Sequence, residues 1–574
     1  MRSDHGLTLT VHGLAVLSLC AAGLLAASGA ALAETSAPAT AAAAAVPAPV
    51  PAPLLAPVPA APALYQQHCA VCHAPQRTGA MGPALLPESL ERVRPAEVLR
   101  VISQGRPATQ MPAFAATLSS AEIQALAQWV RSPAPVAPTW GDEDIRTSRV
   151  VTPVPADEPA KPVWSADPMN LFVVVEGGDH HVSVLDGDKL EVITRFASRY
   201  ALHGGPKFTP DGRYVFFGSR DGWITKYDLW RLRVVAEVRA GLNMRNVAVS
   251  GDGRWVMAAN YLPRNVVLFD ADLNLVRNYP ATTLDGKQAS RVSAVYDATP
   301  RRSFVVALKD VPELWEISYD PAAAPIHDGY VHDYRMGESI AKPGFQGVRR
   351  TALEEPLDDF FFDQTYTYVL GATRPRQADG AVASGKADAP APAAVAPGAT
   401  AQVVNLDIRR KVADLPIAGM PHLGSGITFG WNGTTVLASP NLQGGAIDVV
   451  DMKTWKPVRT IATPGPGFFM RSHEKTPYAW TDSMMSPAAK DTLTIIDKRT
   501  LEVVTQVREP GKTLAHIEFT KDGRYALASV WEMDGAVVVY DAQTFKEVKR
   551  LPMSKPVGKY NVWNKISRSE GTSH

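Results

Sequence analysis

Residues 69–73 read CAVCH, two thiols three positions apart with an imidazole directly after the second. This is the spacing that attaches a c-type haem: Cys69 and Cys72 add to the vinyl groups, and His73 becomes the proximal iron ligand. A dithiol oxidoreductase would want a βαβ setting, which these surroundings lack. A structural zinc site would want further cysteines, and the sequence has only Cys20 besides. A haem that carries electrons takes a sixth ligand, and two methionines are available. Met111, followed by Pro112 in RPATQMPAF, is the expected ligand, while Met81 in GAMGPALLP is expected to pack near the haem edge. Thioether ligation raises the reduction potential, so such a haem accepts electrons readily.

The elements that must hold this haem are helical. ALYQQHCAVC reads as one amphipathic helix, with Leu64 and Cys72 near its opposite ends. SSAEIQALAQWVRS opens with Ser119 and Glu122 in capping-box spacing and carries Ile123, Leu126 and Val130 on one stripe. Residues 63–135 are therefore expected to be a small all-α class I cytochrome c domain. Before it, residues 1–33 read as a cleavable export signal ending in the small residues Ala31 to Ala33. The apolar stretch is short and interrupted by His12, which argues against a membrane anchor and an integral membrane protein. Leu19 stands where a lipidated Cys20 would want a small residue. Export implies the periplasm, an oxidising compartment. Residues 34–62 read as an Ala/Pro-rich linker and residues 136–159 as a Pro-rich joint. With 58 basic and 57 acidic residues the net charge is +1, no surplus for holding a phosphate backbone, so no nucleic acid is expected as a partner.

From residue 160 to 565 the pattern changes to short alternating strands. Eight segments share an apolar strand, an Asp turn and a second strand, with the turn residues at Asp186, Asp228, Asp270, Asp320, Asp407, Asp451, Asp497 and Asp541. Most neighbours stand 42 to 50 positions apart, the length of a four-stranded blade, which predicts an all-β eight-bladed propeller. FTPDGRYVFFGS, VSGDGRWVMAAN and FTKDGRYALASV add D-G turns between inner strands. One interval, from Asp320 to Asp407, is too long at 87. Part of its excess is a low-complexity insertion at about 376–399, expected as a surface loop. Residues 566–574 read as a tail.

The CAVCH domain followed by a propeller containing RYALHGG, GSRDGWITKYDLW, GLNMRNVAVS, GMPHLGSG and PMSKPVGKYNVWN resembles the cytochrome cd1 group over roughly residues 63–565. That group holds the haem d1 nitrite reductases and their biosynthetic relatives. The resemblance implies that His203 is the proximal ligand of a d1 iron, and that Arg220, Arg245 and Lys207 hold the macrocycle's carboxylates, for which guanidinium forks are suited. It implies that His422 is one of two distal histidines. Where the reductases have the other, this sequence has PLDDFFFD, Pro356 to Asp363, and His327 lies some 30 residues too early to replace it. Protonating an oxygen leaving nitrite needs both.

The sequence is thus more similar to the dihydro-haem d1 dehydrogenase branch, which oxidises a propionate to an acrylate in the last step of haem d1 synthesis. The cofactors implied are one covalent haem c, with dihydro-haem d1 or haem d1 bound as substrate or product. The partners implied are an electron acceptor protein and, as recipient of the product, a cytochrome cd1 nitrite reductase. His516 in KTLAHIEF, placed just ahead of a strand, is the second pocket histidine and a candidate base beside His422; Tyr560 in GKYNVWN can donate a hydrogen bond at the pocket mouth. Nitrite reduction, or carriage of haem d1 without catalysis, are the alternatives. His180 and His181 are expected in a turn, His332 and His473 in structural or surface positions, and Arg471 in an interblade ion pair.

Overall fold

The computed structural model describes residues 60–91, 93–106, 110–153, 155, 161–327, 341–373, 401–568 and 570–571. The export signal, nearly all of the linker, the insertion at 376–399 and His332 lie outside the described residues. None of the described helices is long and apolar enough to cross a membrane.

The cytochrome domain has α1 (Ala61–His68), α2 (Ala70–His73), α3 (Pro87–Leu90), α4 (Pro95–Gln104) and α5 (Ser120–Val130). The single helix expected through the haem motif is in fact two pieces, broken at Cys69, whose φ of −117° departs from helical values. The Tyr65 hydroxyl donates to the Ala74 carbonyl at 2.7 Å, satisfying an acceptor that the end of α2 would leave unpaired. The capping box of α5 forms as its sequence predicts. Ser119 Oγ accepts from the Glu122 amide at 3.3 Å, and Glu122 Oε2 accepts from the Ser119 amide at 2.8 Å. Leu64, Tyr65, Val98, Ile123, Leu126 and Val130 close the core between α1, α4 and α5.

The remainder is a ring of eight antiparallel sheets, each of four strands except for one with a fifth. The ring is closed by Pro556–Asn561, which becomes the innermost strand of the first blade by pairing with Leu171–Glu176, Phe172 opposite Asn561. Third strands such as Ala536–Asp541 are nearly all buried, while the outermost Glu547–Pro552 is exposed or half-exposed throughout, as expected for sheets stacked face to face with one free edge. Cores form between neighbouring blades: Met257, Leu268, Val306 and Trp315 join the third to the fourth.

Six of the repeated aspartates end third strands and turn the chain by accepting backbone amides; Asp541 Oδ1 takes those of Gln543 and Thr544 at 3.0 and 2.8 Å. In the fifth blade this role falls to Asn405, which accepts the Asp407 amide at 2.9 Å, so the repeat there is centred two residues before Asp407. The long interval has two sources, the connection from Ser318 to Val348 in the fourth blade and that from Thr373 to Ala401 in the fifth. Sequence composition marks only the second.

Two boundary expectations are corrected. The stretch 136–159 is no mere joint: α6 (Asp142–Ser148) buries Ile145 against Phe216, Val238 and Phe269, and Val150–Val151 is the fifth strand, paired to Arg233–Arg239. Burying an aliphatic side chain is worth about 1.5–3 kcal/mol, enough to fasten a chain whose prolines already limit its freedom. The supposed tail begins inside α7 (Val562–Ser567), and Gly571 exchanges backbone hydrogen bonds with Ser472 and Thr428 across the last-but-one blades.

Candidate functional site

The haem c motif is arranged for an iron. His73 is buried, and its Nδ1 lies 2.7 Å from the Pro83 carbonyl. A carbonyl only accepts, so Nδ1 carries the hydrogen and Nε2 keeps its lone pair for a metal. A Cβ on Gly82 would stand 2.7 Å from the His73 ring, so only glycine lets this loop lie against the imidazole. Cys69 and Cys72 are free thiols. These features fit a covalent haem. Met111 follows the turn at Gly105, and its carbonyl accepts from the Arg106 amide at 3.1 Å. Met81, expected near the haem edge, presents an exposed side chain to its surroundings.

In the propeller, the first residues of the innermost strands gather around one cavity of about 400 Å³, a size typical of small-molecule sites. Every blade contributes. His203 comes from the second blade, Arg245 from the third, Ser293 and Tyr296 from the fourth and Asp359 from the fifth. His422 comes from the sixth, Phe468, Phe469 and Arg471 from the seventh, His516 from the eighth and Tyr560 from the closing strand. The second and sixth blades oppose each other in an eight-membered ring, so His203 and His422 stand across the channel.

Both repeat the geometry of His73. His203 Nδ1 donates to the Arg245 carbonyl at 2.8 Å, and His422 Nδ1 to the Phe468 carbonyl at 2.7 Å. Each therefore offers Nε2. That of His203 already draws the Arg220 guanidinium to 2.7 Å and that of Arg245 to 3.0 Å, a basic lone pair beside two fixed cations. Burial holds His422 below its ordinary pKa, leaving it neutral. Gly204 and Gly205, both at positive φ, let the chain pass Asn246 and Tyr560 directly after His203.

His516 is different. It lies inside Leu514–Phe519 and not ahead of a strand, with φ of +50° at a bulge. Its Nδ1 is buried without a hydrogen-bond partner, and burial, with Lys559 and Arg471 nearby, pushes its pKa well down. Its ring stands 5.1 Å from that of Tyr560 and 4.6 Å from that of Phe469. Tyr560 is pushed up to about 12 by burial, so its hydroxyl remains a donor. Lys207 heads its strand beside Tyr296 and is pushed down to about 8 by burial and Arg568. Arg220 reaches the site through His203 and does not itself line the cavity.

Asp359, from PLDDFFFD, faces the cavity, accepts from the Tyr296 hydroxyl at 2.9 Å, and lies so close to Gly424 that a Cβ there would collide with Oδ2. His327 is exposed and is no part of the cavity wall. Arg471, expected in an ion pair, lines the cavity instead, and His180 occupies a turn at positive φ as expected. Asp359, Tyr296, Phe468 and Phe469 were invisible to motif reading; their only signal is position at the head of an inner strand.

The cytochrome domain sits on this end of the ring. The buried Arg239 donates to the Thr78 and Gly79 carbonyls at 2.6 and 3.2 Å, Asn243 to the Glu88 carbonyl at 2.9 Å, and Arg106 to the Tyr200 hydroxyl at 3.2 Å, three residues from His203.

Residues 166–332 and 341–565 match the family described as "Cytochrome D1 heme domain", and residues 56–130 match "Cytochrome C oxidase, cbb3-type, subunit III". The chain belongs to the cytochrome d1 haem-domain family. It is 54% identical over 514 residues to the dihydro-heme d1 dehydrogenase of Pseudomonas aeruginosa, covering 89% of this chain and 95% of that protein. A solved structure of dihydro-heme d1 dehydrogenase NirN in complex with DHE superposes with a TM-score of 0.78 at 53% identity, covering 88% of this chain and 99% of the other. The nitrite reductase of Stutzerimonas stutzeri is 24% identical, covering 88% of this chain and 93% of that protein. Within the family, this cytochrome d1 chain combines a cytochrome c domain with an eight-bladed propeller.

Proposed function

We propose that this cytochrome d1 family member is a periplasmic dihydro-haem d1 dehydrogenase that converts a propionate side chain of its substrate to an acrylate. The observation that carries this reading is the cavity between His203 and His422, with Asp359 at the second distal position. A planar iron macrocycle entering between the two imidazoles would meet the Nε2 of His422 on one side and, on the other, that of His203, which the Arg220 and Arg245 guanidiniums hold at 2.7 and 3.0 Å. Nitrite, an anion, would meet the Asp359 carboxylate where its reduction calls for a second proton-donating histidine.

His203 takes the proximal side of the substrate's iron, and His422 faces the distal side. Arg245 and Arg471, which line the cavity, neutralise the macrocycle's carboxylates, with Arg220 and Lys207 as cations behind the wall. The reaction turns –CH2–CH2– into –CH=CH– with loss of two protons and two electrons. Cys69, Cys72, His73 and Met111 would hold a haem c, which would supply a one-electron acceptor for passing the two electrons singly to an acceptor protein. His516, neutral and with an unused ring nitrogen, takes a proton from the side chain, and the Tyr560 hydroxyl steadies the adjoining carboxylate. Phe468, Phe469 and Trp531 exclude water from that side. The finished haem d1 would pass to a cytochrome cd1 nitrite reductase.

Anaerobic incubation of the holoprotein with dihydro-haem d1 tests this reading. Loss of two hydrogens from the pigment, seen by mass, together with haem c reduction is expected; an unchanged mass overturns it.

A further inference from the structure

Next to the cavity lies a cluster of buried charged and polar side chains, of which Glu518, His473, Lys559 and Asn564 have no part in the reaction above. Glu518 follows His516 by two residues on the same inner strand and is fully buried. Its Oε1 accepts from Asn564 Nδ2 at 2.9 Å and from the Phe519 amide at 3.1 Å, but its Oε2 has no partner. Nor have Asn564 Oδ1, Arg471 Nε, His473 Nε2 and His516 Nδ1, all buried. Arg471, Lys559, Lys565, Tyr560 and His473 all feel the charge of Glu518, so these groups surround it.

Buried polar atoms are almost always paired, and such a cluster of unpaired ones is the setting in which internal water is held. The cluster also runs in one direction. The inner strands descend from the cavity, so Arg471 leads to His473, and His516 leads to Glu518, while Lys559 is followed by Asn561 and then Asn564 in α7. At the far end Lys498 Nζ donates to the His473 carbonyl at 3.1 Å and pairs with Glu570 at 3.2 Å. Glu570 is 43% exposed. The row therefore begins at the cavity wall, and its far end, His473, lies beside the Lys498–Glu570 pair, whose carboxylate reaches solvent.

We propose that Glu518, with His473 and Asn564 and the water they hold, is a proton relay that carries the proton taken at His516 to solvent beside the Lys498–Glu570 pair. This rests on the dehydrogenase reading, in which each conversion releases two protons and two electrons. The electrons leave by the haem c side. The relay gives at least one proton a separate exit, away from a cavity mouth covered by substrate and the cytochrome domain. Lys559, held between the His516 carbonyl and Ser529 Oγ at 2.9 Å, keeps the His516 backbone in its left-handed conformation. Glu518 is a positioning residue here, since it acts through His516 and does not touch the substrate.

Two measurements test the relay. In a high-resolution crystal structure of the chain without macrocycle, ordered waters should bridge Glu518 Oε2, Asn564 Oδ1, Arg471 Nε and His473 Nε2; a dry interior overturns the proposal. In the holoprotein, Glu518→Gln should slow dihydro-haem d1 conversion at least tenfold and raise the solvent deuterium isotope effect, with macrocycle affinity and the haem c spectrum unchanged. Glu518→Asp should restore part of the rate. An unchanged rate and isotope effect in Glu518→Gln overturns the relay. If that variant does not fold, His473→Gln at the far end should show the same paired signature, and its absence counts equally against the proposal. Failure of the wild-type holoprotein to convert dihydro-haem d1 counts against the dehydrogenase reading, and the water network then decides the relay alone.

Discussion

The two iron sites of this chain are built by opposite means. Cys69, Cys72 and His73 lie within five residues on one helical turn, and that turn needs only Tyr65 and the Pro83 carbonyl to hold it. The propeller cavity takes its wall from all eight blades, and no two of its facing histidines are closer than 94 residues in sequence. Yet His73, His203 and His422 end in the same arrangement, Nδ1 tied to a carbonyl and Nε2 turned away from it, that of His203 onto the Arg220 and Arg245 guanidiniums. A local motif and a closed ring thus reach one chemical result, but the first survives local change alone and the second depends on closure.

The largest effect should come from cutting the local site. Cys69→Ala with Cys72→Ala removes both attachment points, so covalent haem and dihydro-haem d1 turnover should be lost, while the propeller still binds the macrocycle. A haem-stained denaturing gel and a spectral titration check this. Loss of macrocycle binding as well would show that the two sites are not independent.

Ring integrity comes next. Ile145 is fully buried on a segment outside the repeats, and Ile145→Ala should cost about 2–5 kcal/mol of stability. Denaturant unfolding followed by propeller tryptophan fluorescence measures it. A small loss would mean that α6 only rests on the blades.

Within the cavity, Arg245→Ala removes a cation that touches His203 and donates to the Ser293 carbonyl at 3.1 Å. A hydrogen bond to a charged group is worth about 1.5–3 kcal/mol, so macrocycle affinity should fall roughly 10- to 150-fold. Titration of the pigment spectrum reads this directly. Covalent haem content should not move.

What the sequence made legible follows the same division. CAVCH, the Ser119 capping box and the Asp-turn repeat are short-range patterns whose physics is complete within a few residues, and the capping box and six of the eight Asp turns stand in the structure as read. The break at Cys69 was missed because helical periodicity runs through it. His203 and His422 were found only because neighbouring residues such as HGG are themselves constrained by tight packing. Asp359 and Arg471 carry no such local mark. Their place in the cavity is fixed by which strand closes against which, and an ion-pair role was equally consistent with their types. α6 was hidden for another reason: its prolines and charges look like a joint, and only the docking of Ile145 and of Trp140, whose Nε1 donates to the Arg239 carbonyl at 2.9 Å, makes it part of the core.

The pH dependence of stability separates the two regions more finely. Burial lowers the pKa of His180 to about 4 and that of His422, His473 and His516 below the ordinary value. These four belong to the propeller, while in the cytochrome domain burial lowers His73. As pH falls through about 6.5 the unfolded chain takes up protons that the native histidines refuse, so their contribution is full above that pH and declines below it. Asp482, pushed up to about 6 by burial, acts in the opposite sense, because the native carboxyl holds a proton that the unfolded one has lost. With four histidines against it, the propeller's melting temperature should fall from pH 7 to pH 5. His516→Gln should flatten that slope, and an equal slope in the variant would remove His516 from the group.

The smallest effect expected is at the cap of α5. Ser119→Ala removes the Oγ that accepts the Glu122 amide, and leaves Glu122 Oε2 still able to accept from the residue 119 amide. Half of the capping box survives, so the cost should be about 1 kcal/mol, confined to the cytochrome domain. Thermal melting followed at the haem c absorbance should shift down while propeller fluorescence melts where it did before. A joint shift of both signals would mean that the contacts of Arg239 with the Thr78 and Gly79 carbonyls couple the two regions into one cooperative unit, and the independence of the local site would be lost with it.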